Sequence, residues 1–547
     1  MSVATEILAR SMRLPRAQTV DVVREADLAA VMDDGAVLLA DRWVARATRM
    51  DPQPTVLVRS PYGRAQLIGT IYGRLLAERG LQVVIQSVRG TFGSEGTFSP
   101  FDERADGLAT LRWLGAQTWH SGPIGMIGPS YLGLVQWAVA PDATADLAGL
   151  SIQFSASEFH GQTYAGGSLS LETSASWLAI VAEQERRFAP IAIARTLRRL
   201  PSVLLELPLS DLDELATGSQ VAWFREAVAH SRRDDPYWES RDFAAGVGSV
   251  TAGVQLIGGW YDIFLPWMLE DFRALQRAGR AVKLIIGPWT HTAPGGTAAG
   301  IREGLAWLRA RLLGDDRLVR RGAVYVFVTG EHTGGGWREL ATWPPPAATE
   351  RRLWLGAGGR LEPDSPTDTS VTGDGYRYDP VDPTPSLGGA VLLGREPVLD
   401  NRPLEARPDV LTYTTSPLPS TLEAIGPASV ELYVRSSSPY FDVFARVCDV
   451  DAQGASWNVC DALMRITPDR VEQAADGTWR VAFGLWPLGH RFASGHRIRL
   501  QVSSGAHPRY ARNPGNGEDA MTATTLRHVD IEVLHDRAHP SHLVLPA

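Results

Sequence analysis

The stretch Pro123-Ile124-Gly125-Met126-Ile127-Gly128-Pro129-Ser130-Tyr131-Leu132-Gly133 decides how the rest of the chain is read. A short apolar run ends in Gly-x-Ser-Tyr-x-Gly, and an alanine-rich helical pattern from Leu134 to Ala140 follows at once. A strand that breaks sharply into a helix holds a serine hydroxyl out at the apex of the turn, the arrangement called a nucleophile elbow. Glycines suit that turn because its backbone is strained and the following helix must pack closely. The second glycine stands at Gly133, with Leu132 where Gly-x-Ser-x-Gly has its last glycine. A plain structural turn would look similar, so the neighbouring segments must decide.

Working outward, Val20 to Arg46 reads as an antiparallel pair turning at Asp33-Asp34-Gly35. Thr55-Val56-Leu57-Val58-Arg59 is then a buried strand, Tyr72 to Arg79 a short helix, and Leu81 to Ile85 a second strand. Asp102 to Gln117 is a helix with Leu108, Leu111 and Leu114 on its inner side, and the elbow strand follows. Leu147 to Phe154, Val254 to Gly258 and Val282 to Gly287 are further strands, with a helix from Leu265 to Ala278 between the last two and another from Gly304 to Leu313. Strands alternating with helices imply a parallel sheet of right-handed βαβ units, which binds ligands at the carboxyl ends of its strands. The alternation stops from Ser155 to Val247, where Leu, Ala, Arg and Glu recur at helical spacing between prolines. From Glu350 onward short strands alternate with Gly, Pro and Asp turns, the pattern of a sandwich or jelly roll. The expected class is therefore α/β: an α/β-hydrolase core over 1–154 and 248–347, an inserted helical cap over 155–247, and a C-terminal all-β jelly-roll domain over 348–547.

Bulk properties agree with several domains. A chain of 547 residues is too long for one core. With 44% hydrophobic and 21% charged residues it has the composition of a soluble globular protein. The net charge of −8 is spread along the chain, so no basic stripe calls for nucleic acid. No apolar run approaches the roughly 20 residues that span a bilayer, and Met1 to Pro15 lacks the apolar core and cleavage site of a signal peptide. A cytoplasmic protein without membrane partners is expected. The two cysteines, Cys448 and Cys460, could meet across a hairpin but make no disulfide framework.

Serine becomes a nucleophile only when a base takes its proton, and the base needs a carboxylate to fix its tautomer. In α/β-hydrolases the acid and then the histidine follow the serine, on loops after later strands. Asp262 ends one expected strand and His291 lies just beyond the next, so Ser130, Asp262 and His291 converge at one sheet edge. His120, His160 and His230 lie before the elbow strand or in the cap. No cluster has zinc spacing, and Gly90 to Gly96 lacks the Gly-Lys-Ser/Thr of a phosphate loop; no metal and no cofactor is called for. Attack on a carbonyl also needs oxyanion donors. The elbow supplies the Tyr131 amide. With no His-Gly-Gly-Gly element in Ser60-Pro61-Tyr62-Gly63-Arg64, the Tyr62 phenol is the natural second donor.

Arg59-Ser60-Pro61-Tyr62-Gly63, Arg89-Gly90 with Ser94-Glu95-Gly96, Gly128 to Gly133, Gly259-Trp260-Tyr261-Asp262 and Gly287-Pro288-Trp289-Thr290-His291 together resemble the CocE/NonD hydrolases. That group includes cocaine esterase, α-amino-acid ester hydrolases and S15-type Xaa-Pro dipeptidyl-peptidases. Asp409 to Thr415 and Pro508 to Pro514 are similar to its C-terminal β-domain, so the likeness spans essentially the whole chain. It implies Ser130 as nucleophile, His291 as base, Asp262 as orienting acid, and the Tyr62 hydroxyl and Tyr131 amide as oxyanion donors. It also implies a substrate pocket between sheet, cap and β-domain, with Trp177 and Phe264 at acyl-pocket positions, where plain core packing is the competing reading. One departure is Ser87, where the family usually has the first residue of Asp-x-Arg-Gly; this alters how the Arg89 loop is held.

The expected function is a serine hydrolase that cleaves small carboxylic esters of an aromatic or small apolar acid through an acyl-enzyme. The alternative is an Xaa-Pro dipeptidyl-peptidase or α-amino-acyl hydrolase, which must pair the substrate's ammonium once it is desolvated; Asp234, Asp235, Glu158 or Glu172 could do so. A catalytically inert binding protein is the remote alternative. Oligomeric state is left open, a homodimer included.

Overall fold

The computed structural model describes residues 3–330, 335–346, 349–394 and 396–547; the boundary expected between 347 and 348 lies outside the described residues. The chain forms two compact units. One comprises the chain up to His160 with Ile180–Ile193 and Arg232–Tyr325; the other comprises Gly161–Ala179, Ala194–Ser231 and Val326–Ala547.

The first unit is built on β1 (Val22–Val31), β2 (Val37–Ala45), β3 (Gln53–Ser60), β4 (Gln82–Ser87), β5 (His120–Pro129), β6 (Leu147–Gln153), β7 (Gly253–Tyr261) and β8 (Val282–Thr290). They lie in the order β1-β2-β4-β3-β5-β6-β7-β8. β1, β2 and β4 pair antiparallel, and from β4 to β8 every pairing is parallel. Val56, Leu57, Val83, Val84 and Ile85 are buried, as strands covered on both faces require. After β3 the chain steps one way to β4 and then returns past β3 to β5. The connection thus reverses direction between β3 and β5, and an open α/β sheet takes its ligand at the carboxyl ends of the strands at such a point.

Two helices differ from expectation for one reason, close approach to the chain they pack on. The helix Arg104–Gly115 buries Asp106, Gly107, Ala109, Thr110 and Leu114 rather than the expected Leu108 and Leu111, which are only half-buried. A Cβ at Gly107 would lie 2.4 Å from Val139, so small residues form that face. The helix expected from Gly304 begins ten residues earlier, at Pro294, and runs to Leu313. Its glycines, which read as loop, lie on the sheet: a Cβ at Gly300 or Gly304 would meet Gln153 or Ile127 at 2.4 and 2.6 Å.

Residues 155–247 are largely helical, with Leu171–Glu183, Ala189–Val203, Leu212–Thr217 and Ala222–Ala229, but they are shared between the two units. The physical reason lies in backbone pairing. Within the second unit the Ala511 amide donates to Leu169 O at 2.9 Å and the Glu172 amide to Pro508 O at 2.9 Å.

Strands of the second unit between Glu350 and Pro546 form one mainly antiparallel network, including Leu422–Ser436 with Trp479–Phe492 and Phe441–Val450 with Ser456–Ile466, with Arg360–Glu362 pairing parallel to Leu411–Thr414. The only helix described in that stretch is Arg402–Glu405. Its core includes Leu353, Val430, Leu432, Phe492 and Leu500. Cys448 stands opposite Asn458 and Cys460 opposite Val447, both as buried free thiols. Burial pushes the Cys448 thiol up to about 12. Among the described residues no helix is long and apolar enough to cross a membrane.

Asp461 lies buried in this unit between Arg446, at 2.8 Å, and Arg509. Burial alone would raise its carboxyl, but the guanidiniums of Arg509 and Arg446 outweigh it and hold the carboxyl below the usual range. Stability from this cluster is present above the unfolded carboxylate value, near 4, and is lost as pH falls through the lower folded value. Removing one partner leaves buried charge behind, so Asp461→Ala is expected to lose about 3–5 kcal/mol of unfolding free energy at neutral pH. A loss under 1 kcal/mol in urea melts would count against this account.

Candidate active site

Ser130 sits at φ 57° and ψ −125°, a strained conformation for a residue with a side chain. The surrounding structure over-determines it. Its amide donates to both Gln153 O (2.9 Å) and Phe154 O (3.2 Å), while its carbonyl accepts from the amides of Gly133 and Leu134 at 2.8 and 3.0 Å. The irregular glycine spacing follows from packing. A Cβ at Gly128 would fall 2.3 Å from Leu132 Cβ, and one at Gly133 would fall 2.5 Å from Ser155 Cβ. Leu132 thus covers Gly128, and the close crossing of helix and sheet moves one step on to Gly133. Ser130 is half-buried at the carboxyl end of β5.

Asp262 and His291 follow β7 and β8, which are parallel neighbours. Their register slips between Gly259 and Tyr261, where a Cβ at Gly259 would lie 2.1 Å from Trp289 O. Glycine lets the two strand ends close, and His291 Nδ1 meets Asp262 Oδ1 at 2.6 Å. The Asp262 side chain is fully buried and that of His291 is 6% exposed. A short bond to a buried carboxylate fixes the proton on Nδ1 and leaves Nε2 as the basic nitrogen. Phe154 stands edge-on to the imidazole, ring centroids 6.3 Å apart, and Phe264 lies against it at 5.6 Å. Phe264 is 2% exposed and also packs on Phe159, so its ring braces His291. His120, by contrast, opens β5 at the opposite sheet edge and meets Thr55 Oγ1 at 2.9 Å.

Tyr62 follows β3, the strand beside the one that carries Ser130, and is half-buried; its amide donates to Ser60 Oγ at 3.0 Å. Tyr131 is 1% exposed, and its phenol donates to Glu103 Oε1 at 2.6 Å. Burial, and then the Glu103 carboxylate, push that phenol well above its ordinary value, so it stays a donor. Sequence reasoning missed Glu103, one of several acidic residues around the start of a helix, with no motif to single it out. The Ser87 hydroxyl accepts from Arg64 at 3.1 Å, and the Arg89 loop is held instead by Asp106, at 2.6 Å, and Asp34. Trp177 lies in the second unit, edge-on to Trp223 at 4.8 Å.

The carboxylates considered for an ammonium are engaged. Glu158 pairs with Arg233 at 3.0 Å and Asp234 with Arg232 at 3.0 Å. Asp235 caps a helical turn through the Tyr237 amide, and Glu172 accepts from the Leu392 amide and Ser176. Behind Glu158, Asp271 is buried and receives the Ser157 amide at 2.8 Å and hydroxyl at 2.5 Å. Burial pushes its carboxyl up to about 8, although the Ser157 hydrogen bonds pull it down. The native state then keeps a proton that the unfolded chain loses near pH 4, so stability falls as pH rises between about 4 and about 8. Asp271→Asn is expected to flatten the decline of Tm across that window; parallel curves for the two proteins would refute the assignment.

An elbow serine at the switch point of an α/β-hydrolase sheet, with an all-β domain after it, defines a serine hydrolase. Residues 34–293 match the X-Pro dipeptidyl-peptidase (S15) family, and residues 321–544 match the X-Pro dipeptidyl-peptidase C-terminal non-catalytic domain. The chain is 31% identical to the cocaine esterase of Rhodococcus sp. (strain MB1 Bresler), covering 94% of this chain and 97% of that one. It belongs to the CocE/NonD family of serine hydrolases. In fold it is similar to an α-amino acid ester hydrolase, with a TM-score of 0.81 and 21% identity over 97% of this chain and 98% of the other. An aminopeptidase from a marine sediment Thaumarchaeota archaeon gives a TM-score of 0.80 at 20% identity, over 97% of each chain.

Proposed function

We propose that this hydrolase cleaves small carboxylic esters, with Ser130, His291 and Asp262 as its triad. The observation that carries the reading is the 2.6 Å bond between His291 Nδ1 and buried Asp262, on the strand ends that follow the serine elbow. Ser130 Oγ attacks the ester carbonyl while His291 Nε2 takes its proton. The tetrahedral oxyanion is held by the Tyr62 hydroxyl and the Tyr131 amide. As it collapses, His291 returns the proton to the leaving alcohol and an acyl-serine remains. Water, deprotonated by His291, then releases the acid and restores Ser130.

Ester rather than peptide preference is supported by the identity with an esterase over nearly the full chain and by the engaged state of Glu158, Asp234, Asp235 and Glu172. The acid is expected to be aromatic or small and apolar, with Phe264 shaping its pocket through His291. A cytoplasmic enzyme acting on a small molecule, without nucleic acid or membrane, accords with the composition. The S15 family match favours a second reading, cleavage after Xaa-Pro.

Initial rates on p-nitrophenyl butyrate and on a Gly-Pro p-nitroanilide separate the two. Ester cleavage with an untouched anilide is expected; faster anilide cleavage would move the function to the peptidase. An inert binding protein would take no fluorophosphonate label. Tyr62→Phe is expected to lower kcat ~10²–10³-fold with little change in KM, as loss of one oxyanion donor does. A wild-type rate would remove Tyr62 from the oxyanion site.

A further inference from the structure

One residue read as an oxyanion donor bonds directly to a buried ion pair, and the other follows a member of that pair on the same strand end. Below the elbow, Glu103 takes the Tyr131 phenol on Oε1 at 2.6 Å and meets Arg59 Nη1 with Oε2 at 2.8 Å. Arg59 is the penultimate residue of β3, three positions before Tyr62. It is itself held by Gln86 Oε1 at 2.8 Å and by the Glu103 carbonyl at 3.1 Å, and Thr110 Oγ1 reaches the same Gln86 oxygen at 2.9 Å. The Phe101 amide donates to the phenol oxygen at 3.0 Å, so Tyr131 is gripped from both sides. Phe98 and Phe101 lie against its ring, with centroids 6.1 and 5.7 Å away. Arg59 is fully buried and Glu103 is 3% exposed. Burial pushes the Glu103 carboxyl up, opposed by the Arg59 guanidinium and the phenol.

A buried ion pair adds little net stability over apolar packing of equal volume. What it does supply is direction, because each partner must keep its geometry to satisfy the other. A tyrosine anchored at its far end has its Cα–Cβ bond, and with it the tilt of its own peptide plane, fixed. An arginine anchored near the end of β3 fixes where the next turn begins. An oxyanion donor works only when it is aimed where the charge will develop, and a shift of about 1 Å can lose ~10²-fold in rate.

We propose that Glu103 is a positioning residue that aims both oxyanion donors, Tyr131 through its phenol and Tyr62 by way of Arg59, an inference that rests on the oxyanion reading above. Tyr131→Phe keeps the ring and the amide and removes only the anchor. Glu103→Gln keeps an acceptor for the phenol and removes the charge that Arg59 pairs with. Both are compared with wild type for kcat and KM on p-nitrophenyl butyrate, for Tm, and for inhibition by phenylboronic acid, which forms a tetrahedral adduct on serine. Tyr131→Phe is expected to lower kcat about tenfold, leave KM within about twofold, and weaken phenylboronic acid by the same factor as kcat. Glu103→Gln is expected to do the same with a larger drop in Tm.

A residue that only stabilises the fold would lower Tm and leave kcat and boronic acid affinity alone; that result in Tyr131→Phe overturns the proposal, as does a loss carried by KM. Tyr62→Phe, measured beside them, separates the layers. A large loss there with none in Tyr131→Phe and Glu103→Gln overturns the positioning role and leaves the oxyanion reading standing. No loss in Tyr62→Phe removes Tyr62 from the oxyanion site, and the Arg59 arm of the proposal falls with it.

Discussion

Ser130→Ala is expected to lower kcat on p-nitrophenyl butyrate ~10⁶-fold, because no group on the elbow can replace the serine oxygen as nucleophile. The backbone of the turn does not depend on that hydroxyl. It is held by the amide and carbonyl bonds of residue 130 and by the packing of Gly128 and Gly133. The variant should therefore fold, bind substrate with a near-normal affinity, and take no fluorophosphonate label. The oxyanion donors and the binding site would still act on a bound ester, so the residual rate should exceed hydrolysis in water by ~10³–10⁴-fold. Turnover close to wild type would sink the acyl-enzyme mechanism.

The second large effect is at Asp262, where the asparagine variant should lose ~10⁴ in kcat. Aspartate accepts the Nδ1 proton of His291 at 2.6 Å and so leaves Nε2 free to take the proton of Ser130. An asparagine amide can donate to Nδ1 instead, which puts the ring proton on Nε2 and removes the base. With the side chain fully buried, no solvent competes for that bond. KM should change little, since Asp262 does not touch the substrate. A loss under tenfold would reduce Asp262 to a residue that packs the β7 loop.

Much of the site could be read in the chain because its chemistry is tied to local punctuation. Gly-Pro-Ser-Tyr marks a strand breaking into a helix, and Asp262 and His291 each follow an apolar run too short for a helix. The parallel sheet points those three endings the same way, and the register sets the ends of β7 and β8 side by side, Tyr261 opposite Thr290. Helix faces were less legible. Periodicity pointed to Leu108 and Leu111 as the inner side of Arg104–Gly115, yet Gly107, Asp106 and Thr110 are buried there. A hydrophobicity pattern cannot recognise a face whose partners are polar or whose backbone must come close. The same blindness hid the first half of the helix from Pro294, where glycines serve contact and not flexibility.

By itself the sequence determined the class of the fold and the change to an all-β second half, and it offered Ser130, Asp262 and His291 as candidates in that order, since each rests on residues adjacent in the chain. The tertiary structure alone decided the 2.6 Å meeting of His291 with Asp262 and the union of Arg59, Glu103 and Tyr131. It also decided how residues 155–247 divide between the two units. Those depend on register and burial. A strand slip of one residue at Gly259, or a carboxylate with no solvent to turn to, exists only once distant segments have excluded water from between them.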